Sequence, residues 1–244
     1  MKIMKKTRWQ LVVFVLVLTV GLAVASCELD PGPGGANPDL GNNVYVAGNV
    51  RIGVLSSRAT LWRNGGPQTL SNNYSSASSV YVSGNDVYVA GNVRIGDSSS
   101  RATLWRNGVP QTLSNDNSHA NSMYVSGNDV YVAGSVQIGV FRRATLWRND
   151  VPQTLSNDDS VAFSVYVSGN DVYVAGSVDY RATLWRNSVP QILGNDNSVA
   201  LSVYVPGNDV YVVGSFSGRA MLWKNGVSQT LNNDSTALSV YVSR

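Results

Sequence analysis

Short runs of alternating hydrophobic and polar residues recur along the chain from residue 42 onwards. The runs VYVAG and SVYVSG are β-branched and aromatic, and the runs RATLWRN and QTLS lie between them, a pattern that predicts four short β-strands per unit. Ser-Gly-Asn-Asp, as in 83–86, and Asn-Gly, as in 64–65, predict tight turns because Gly and Asn tolerate positive φ. After the N-terminal leader no segment has a helical period, so the sequence predicts an all-β protein.

These strand runs repeat with a period near 40 residues. The phrase VYV-[AV]-G occurs five times, at spacings of 43, 43, 42 and 38 residues. A period of this size is typical of repeat architectures in which one unit cannot bury its own hydrophobic face. A tryptophan in the third strand recurs in every unit, and we expect burial between units rather than an exposed sugar-stacking set. These candidate core residues are Trp62, Trp105, Trp147, Trp185 and Trp223.

Alternation also sorts the residues onto faces. In Val-Tyr-Val at 44–46 the tyrosine points away from the valines, and in the run at 59–63 Ala and Leu share one face while Thr and Trp share the other. We therefore expect an aliphatic face and an aromatic face on each sheet. A sheet that is apolar on both faces must be covered on both. Stacking identical sheets around an axis achieves this, which predicts a five-bladed β-propeller of four-stranded antiparallel blades.

The ends of the repeat array suggest how the ring closes. The first complete strand is the second strand of a blade, whereas 239–243 is a first strand with no hairpin partner after it. We expect this C-terminal strand to pair with 44–47 and complete the N-terminal blade. The alternatives are an open solenoid or a truncated gene product. An open array would leave apolar faces and a strand edge exposed, which favours aggregation.

The repeat over 42–244 resembles kelch-type propellers in its hairpin, its glycine after the second strand and its aromatic outer strand. The glycines are single here rather than doublets, and the Gly-His and Trp-Asp dipeptides of WD repeats are missing. The units are also similar to those of bacterial lipoproteins built from NDVYVAG…ATLWKNG repeats, a resemblance that implies no particular activity. The lectin tachylectin-2 is similar only in blade number. The single glycines are Gly48, Gly91, Gly134, Gly176 and Gly214.

The N-terminus has the order of an export signal. Four basic residues lie within 1–10, and an apolar run of fifteen follows at 11–25, shorter than the ~20 residues that a membrane-spanning helix needs. The segment Val24-Ala25-Ser26-Cys27 resembles the bacterial lipobox, which implies a signal peptide over 1–26 and lipid attachment to Cys27. Cleavage after Ala25, giving a soluble secreted protein, and an uncleaved anchor are the alternatives.

The stretch that follows the lipobox predicts a flexible tether. Residues 27–41 are rich in Pro and Gly and contain few large apolar side chains, so the folded domain is expected over 42–244. Glu28 follows the cysteine, whereas in some bacteria an Asp at that position retains lipoproteins at the inner membrane. We therefore expect a lipid-anchored, extracytoplasmic protein of the bacterial envelope, at the outer membrane rather than the inner one.

Charge and composition narrow the classes of function. The chain of 244 residues has a net charge of +3, but four basic residues belong to the leader; the remainder has 14 basic and 15 acidic side chains, or −1. A nucleic-acid partner is therefore not expected. One Cys, one His and one Glu leave little for disulfide, metal or acid–base chemistry. We expect no cofactor, no metal site and a monomer.

Two polar positions recur with the repeat. An Arg precedes each tryptophan strand and could bind anions, although stacking on Tyr or Trp, or pairing with Asp between blades, is the simpler interpretation. An Asp occupies four of the hairpin turns. It could bind calcium, but EF-hand spacing is missing and turn chemistry explains it. These residues are Arg58, Arg101, Arg143, Arg181 and Arg219, and Asp86, Asp129, Asp171 and Asp209.

One rim of the predicted propeller collects the variable loops. The link between the second and third strands shortens from nine residues at 49–57 to four at 215–218, and the links between units, on the same rim, are acidic and amide-rich. Loops on a rigid scaffold commonly carry binding sites, so this rim is the predicted ligand face, with solvated loops as the alternative. His119 is expected to be an exposed loop residue. The candidate residues are Tyr74, Asp116, His119, Asp158, Asp159, Asp196 and Asp234.

The sequence therefore predicts a non-catalytic module that binds a protein through this variable rim. The alternative is a glycan-binding lectin with a shallow site on each blade, which the near-identity of the units favours. An enzyme acting on polysaccharides, with Asp116 and Asp196 as the paired carboxylates, is less favoured. Every unit offers a similar Asp, which indicates a turn motif rather than a catalytic acid.

Overall fold

The computed structural model of the chain describes residues 43–53, 56–96 and 98–243. In this part of the chain nineteen strands form five antiparallel sheets, and no residue is helical, so the all-β prediction is confirmed. No helix among these residues is long and apolar enough to cross a membrane. The predicted signal peptide over 1–26, Cys27 and the predicted tether to residue 41 all lie outside the described residues.

The strands pair in sequence order within each sheet, and the sheets are numbered here along the chain. Sheet 1 contains β1 (Tyr45–Arg51), β2 (Ser57–Arg63) and β3 (Gly66–Thr69). Sheet 2 contains β4 (Ser75–Ser83), β5 (Asp86–Ile95), β6 (Ser99–Arg106) and β7 (Val109–Thr112). Sheet 3 contains β8 (Ser118–Ser126), β9 (Asp129–Ile138), β10 (Phe141–Arg148) and β11 (Val151–Thr154). Sheet 4 contains β12 (Ser160–Ser168), β13 (Asp171–Val178), β14 (Arg181–Arg186) and β15 (Val189–Asp196), and sheet 5 contains β16 (Ser198–Tyr204), β17 (Tyr211–Phe216), β18 (Arg219–Lys224) and β19 (Val227–Asn232).

An asparagine and a second residue with positive φ form the turns that join the third and fourth strands; the second residue is Gly in sheets 1, 2 and 5, Asp150 in sheet 3 and Ser188 in sheet 4. Asn107 and Gly108 have φ angles of 51° and 81°, so both central residues of the turn are left-handed, as a tight hairpin with right-handed twist requires. The side-chain oxygen of Asn107 also accepts a hydrogen bond of 2.9 Å from the backbone N–H of Val87 in the second strand. One residue type thus supplies both the turn geometry and a tie to the neighbouring hairpin.

Tyrosine and tryptophan lie on opposite faces of each sheet, so the prediction of a single aromatic face is wrong. In sheet 2, Val89 is the register partner of Trp105, whereas Tyr88 is the partner of Arg106. Register partners share a face, and a shift of one residue moves a side chain to the other face. Tryptophan therefore lies on the valine face, towards the preceding sheet, and tyrosine lies with Ala and Leu, towards the following sheet.

The tryptophans fill the junctions between sheets. The indole N–H of Trp105 donates to the carbonyl oxygen of Leu70 in the preceding sheet at 3.0 Å, and the same bond joins Trp147 to Leu113 and Trp185 to Leu155. Trp105, Trp147 and Trp185 are 0% exposed, and Trp223 is 1% exposed. Trp62, in sheet 1, is only partly buried.

The single glycine of each second strand lies against the first strand of its own sheet. A Cβ atom added to Gly134 would lie 1.8 Å from the carbonyl oxygen of His119, and the equivalent distances at Gly91, Gly176 and Gly214 are 1.9–2.1 Å. The first strands bulge at this level, which moves their backbone towards the glycine. A Cβ atom added to Gly48 of sheet 1 would contact no backbone atom, because the described part of sheet 1 lacks a first strand.

The closing strand predicted for the ring is absent from the described residues. Sheet 1 has three strands, residues 235–243 form no strand, and Val44 and Val46 at the open edge are 44% and 50% exposed. The C-terminal segment lies against sheet 5, where the backbone N–H of Ala237 donates to the carbonyl oxygen of Gly214 at 3.2 Å and the ring of Tyr241 lies 5.1 Å from that of Tyr204. That hydrogen bond attaches the segment to the second strand of sheet 5, and no ladder with β1 forms among the described residues. Tyr241 thereby extends a column of inner-strand rings formed by Tyr81, Tyr124, Tyr166 and Tyr204.

Candidate ligand-binding clefts between the sheets

The two ends of the sheets carry different chemistry. We call the end with the turns between the first and second strands, such as 83–86, the hairpin rim, and the end with the variable links, such as 49–57, the loop rim. At the hairpin rim of sheet 2, Asp86 begins β5 and Arg106 ends β6. Asp86 accepts hydrogen bonds from the guanidinium of Arg106 at 2.5 Å and from the amide of Asn107 at 2.7 Å. The guanidinium carbon lies 5.5 Å from the centre of the Tyr88 ring.

This cluster of an acid, a cation, an amide and a tyrosine recurs at the hairpin rim of every four-stranded sheet. The ion pairs span 2.5–3.0 Å, with Lys224 replacing arginine in sheet 5. In sheet 1, Asn43 takes the place of the acid and accepts hydrogen bonds of 3.2–3.3 Å from Arg63. The equivalent clusters are Asp129, Arg148, Asn149 and Tyr131; Asp171, Arg186, Asn187 and Tyr173; and Asp209, Lys224, Asn225 and Tyr211.

The cluster keeps its carboxylate ionised. The hydrogen bond from Arg106 is the main cause that lowers the pKa of Asp86 below its usual value, and Arg148 and Arg186 lower the pKa of Asp129 and Asp171 in the same way. Such an Asp can accept hydrogen bonds at neutral pH but is poorly suited to donate a proton. No three His, Cys, Asp or Glu side chains come together within the described ranges in a way that could hold a metal ion.

The arginines that stack and pair are not the ones predicted. The sequence led us to expect stacking or ion pairing for the arginine that precedes each tryptophan, such as Arg101. Instead the arginine that follows the tryptophan, such as Arg106, stacks on tyrosine and pairs with aspartate. The reason is register: Arg106 ends its strand beside Tyr88 and the hairpin-turn Asp86, whereas Arg101 lies near the start of the same strand, at the loop rim.

A cleft opens beside this cluster where two sheets meet. Between sheets 4 and 5 its volume is about 720 Å³. Asp171, Tyr173, Arg186 and Gln191 line the wall from sheet 4, and the hairpin turn at 207–208 with Asn225 and Gly226 lines the wall from sheet 5.

Equivalent clefts occur between sheets 1 and 2 and between sheets 3 and 4, with volumes of about 580 and 570 Å³. Each again combines a Tyr, an Arg and a Gln from one sheet with turn asparagines from the next. The glutamine side chain lies against the turn between the third and fourth strands of the next sheet. A Cβ added to Gly108 would lie 2.5 Å from the amide nitrogen of Gln68, and one added to Gly226 would lie 2.6 Å from that of Gln191. At these two junctions the turn glycine leaves room for the glutamine, whereas Ser188 occupies the equivalent turn position between sheets 3 and 4.

The residues predicted for the loop rim are spread over successive sheets. Tyr74 precedes β4, with the guanidinium of Arg94 5.9 Å from its ring centre. Asp116 and Asp158 are exposed in the links before β8 and β12, where their backbone carbonyls accept hydrogen bonds from serine hydroxyls. Asp159 accepts a hydrogen bond of 3.0 Å from the backbone N–H of Arg142.

The other predicted residues also stay apart. His119 lies in β8 and not in a loop, and it is half-buried; burial, and then the charge of Arg142, lower its pKa. Asp196 ends β15 opposite Arg181, and Asp234 is exposed after β19. Within the described residues no hydrogen bond or ion pair joins any two of the seven candidates. The sequence analysis missed the hairpin-rim clefts, although the recurrence of Ser-Gly-Asn-Asp and Trp-Arg-Asn in nearly every unit pointed to that rim.

Comparisons with known proteins concern the fold. No protein-family model matches the chain, and no curated protein is significantly similar in sequence. TolB from Acinetobacter baumannii matches with a TM-score of 0.51 and 12% identity, over 78% of this chain and 53% of that one, so the match spans about half of the TolB chain. A putative TolB from Agrobacterium tumefaciens has a TM-score of 0.48, with 13% identity over 78% and 80% of the two chains. A Trypanosoma rangeli sialidase in complex with 2,3-difluorosialic acid has a TM-score of 0.45, with 9% identity over 76% and 43%. The match to TolB from Acinetobacter baumannii concerns the fold alone, and with the five antiparallel sheets it gives the chain the arrangement of a β-propeller.

Proposed function

We propose that this protein is a non-catalytic carbohydrate-binding module whose ligands occupy the clefts of the hairpin rim. The observation that carries the proposal is recurrence: three sheet junctions have a cleft with equivalent lining residues. A site for one protein partner would be asymmetric, whereas repeated equivalent sites suit a ligand that itself repeats. Several weak sites on one molecule give such a ligand avidity.

The lining of the clefts suits a polyhydroxylated ligand. Asn and Gln amides each offer donors and an acceptor, and an ionised Asp accepts from hydroxyl groups. In the largest cleft these groups are Gln191, Asn225 and Asp171, with Arg186 and Tyr173 beside them. The volumes of about 570–720 Å³ fall in the range of small-molecule sites.

Three outer strands also present an aliphatic side chain directly after the turn that borders a cleft. Val109, Val189 and Val227 are 68–74% exposed and begin β7, β15 and β19. Exposed valines at a repeated position offer an apolar contact for the C–H face of a sugar ring, although proteins also tolerate scattered apolar surface. The proposed site therefore combines a polar cleft with a small apolar edge.

Glutamine variants test the clefts directly. The full-length chain in detergent is screened on a glycan array, and the best ligand is titrated calorimetrically. We expect more than one equivalent site per chain. The triple change of Gln68, Gln153 and Gln191 to Ala should weaken binding by about tenfold, because each loses an amide hydrogen bond in its cleft. Gln229→Ala is the matched control, since Gln229 is equally exposed at the same repeat position but sheet 5 has no following sheet among the described residues.

The same experiment separates the alternatives. Binding of no glycan, or equal losses in the triple variant and Gln229→Ala, would contradict the proposal. A protein ligand whose binding depends on Asp116 or Asp158 would favour the loop rim and the protein-binding hypothesis. Turnover of a polysaccharide abolished by Asp116→Asn or Asp196→Asn would favour an enzyme, although these residues lie in different parts of the array, before β8 and at the end of β15.

We also propose that the module is anchored to the bacterial envelope through lipid on Cys27. The support is the sequence order of basic residues, apolar run and lipobox-like Val-Ala-Ser-Cys at 24–27. Labelling of cells with an alkyne analogue of palmitate should mark the wild-type protein and not Cys27→Ser. Because Cys27 is the only cysteine of the chain, labelling of Cys27→Ser would rule out thiol lipidation at this position.

A further inference from the structure

An arginine lies within the first three residues of the tryptophan strand of every sheet, at the loop rim. In sheet 2 this residue is Arg101, whose register partner is Val93. The position is the same in all five sheets, although the link that precedes it varies in length. The five residues, called here the junction arginines, are Arg58, Arg101, Arg143, Arg181 and Arg219.

These side chains leave their strands on the tryptophan face. Along β6, Arg101 alternates in step with Thr103 and Trp105, so the three share the face that looks towards sheet 1. By the same register Arg143 and Arg181 project towards sheets 2 and 3. Four of the five junction arginines therefore enter a junction between two sheets, one in each junction.

The junction arginines have no partner. Within the described residues none of the five guanidinium groups has a hydrogen-bond acceptor or an ion-paired carboxylate, and even Asp196, the register partner of Arg181, forms no ion pair with it. The Nε atoms of Arg58, Arg101 and Arg143 are buried and unpaired. A buried donor without an acceptor destabilises a fold, and more so when it is charged.

The hairpin rim differs from the loop rim, because the cations at which the same strands end there have partners. Arg106, Arg148 and Arg186 each pair with an aspartate and stack on a tyrosine. The repeat therefore pairs the cation that ends each tryptophan strand, Arg or Lys224, within its own sheet and leaves the junction arginine of the same strand with free donors. A group that recurs unpaired in every sheet suits a ligand from outside the chain.

We propose that the junction arginines bind the anionic groups of an acidic polysaccharide, with one carboxylate or sulfate at each sheet junction. A guanidinium presents paired N–H donors that match the two oxygens of such a group. The even repetition suits a polymer with regularly spaced charges. Beyond the leader the chain has a net charge of −1, which disfavours a polymer of very dense charge such as nucleic acid. These sites are independent of the hairpin-rim clefts, which lie at the other end of the sheets.

Paired arginine variants test this proposal. The full-length chain is titrated with an oligogalacturonate, a neutral malto-oligosaccharide of equal length, a short single-stranded DNA and sodium sulfate. We expect oligogalacturonate to bind with an affinity that falls as salt rises, and the neutral sugar to bind at least tenfold more weakly at these sites. Arg101→Gln with Arg143→Gln should reduce the affinity for oligogalacturonate by about tenfold or more.

The control removes the same charge from the same rim. Arg94 and Arg142 are exposed neighbours of the junction arginines, and Arg94→Gln with Arg142→Gln should change the affinity less than about threefold. Equal losses in both double variants would overturn the proposal, because they would indicate general electrostatic attraction. Absence of oligogalacturonate binding, equally tight binding of sulfate alone, or tighter arginine-dependent binding of DNA would also overturn it.

Two further measurements keep the result interpretable. Thermal unfolding checks that the double variants fold. If Arg101→Gln with Arg143→Gln does not fold, Arg101→Lys with Arg143→Lys replaces it. The lysines keep the charge but lack the paired donors of a guanidinium, so this variant should still bind oligogalacturonate more weakly than the wild type. The glutamine variants of the hairpin-rim clefts should bind oligogalacturonate normally. A failure of neutral-glycan binding in those clefts is therefore distinguishable from a failure of anion binding at the junctions.

Discussion

The indole N–H of Trp105 donates a hydrogen bond of 3.0 Å to the carbonyl oxygen of Leu70 across the junction between sheets 1 and 2. Both residues are buried, so a hydrophobic contact and a hydrogen bond from one side chain hold two sheets together. The bond recurs at the next two junctions. In such an array the stability of one sheet depends on its neighbours.

The first prediction compares two tryptophans at the same repeat position. Trp147→Ala should destabilise the protein by about 3–5 kcal/mol, because it leaves a large cavity between two sheets. Trp62→Ala should cost about half as much or less, because Trp62 is only partly buried on a face that no described sheet covers. Chemical denaturation of both variants measures the difference. Equal losses would mean that sheet 1 is covered in solution, as ring closure requires.

The second prediction uses two glycines in the same way. Gly134→Ala should destabilise the protein by about 2–4 kcal/mol, because the added Cβ would meet the carbonyl oxygen of His119 at 1.8 Å and force the backbone to move. Gly48→Ala should be nearly neutral, since the nearest atom is a ring carbon of Trp62 at 3.2 Å. Thermal unfolding checks both. A large loss in Gly48→Ala would show that a strand pairs with β1 after all.

The third prediction concerns pH. Burial is the main cause that lowers the pKa of His119, so the unfolded chain binds its proton more readily than the folded one. The contribution of His119 to the free energy of unfolding is therefore fully present above the pKa of the unfolded chain, about 6.5. It is lost as the pH falls from there through the lower pKa of the folded protein. Urea denaturation at about pH 7.5 and pH 5 should show that the free energy of unfolding falls less on acidification in His119→Gln than in the wild type.

The single histidine makes a direct check possible. His119 is the only imidazole of the chain, so its ring resonances can be followed by NMR without assignment of other histidines. A titration midpoint at or above 6.5 would contradict the assignment of His119 to a half-buried strand position.

Strands and turns followed from the sequence because both depend on local chemistry. Val, Tyr and Thr alternate over the strand runs, and Asn107 with Gly108 can adopt the positive φ angles that the turn needs. The positions of five sheets followed from the repeat period. The assignment of tryptophan and tyrosine to one face was wrong, because it requires the register between two strands, which pairs Tyr88 with Arg106 and Val89 with Trp105. Alternation within each strand leaves that register open.

The candidate sites were harder to predict. The hairpin-rim clefts are spaces between two sheets, so they depend on the distance and angle at which sheets pack, which no single unit encodes. The arginine that pairs with aspartate was misassigned for the same reason, because Arg101 and Arg106 lie on one strand but at opposite ends of it. Only the pairing of strands places Arg106 beside Asp86 and leaves Arg101 without a carboxylate.

The amino-acid order by itself determined the repeat, the strands, the turns and the all-β class, because these follow from side-chain periodicity and backbone preferences over a few residues. Tertiary structure decided which faces meet, which arginines are paired, where the clefts open and how the C-terminal segment lies, with Tyr241 against Tyr204 and no ladder on β1. Those features depend on contacts between residues that lie about 15 to 40 positions apart in the chain, where strand register and the packing of sheets govern the outcome.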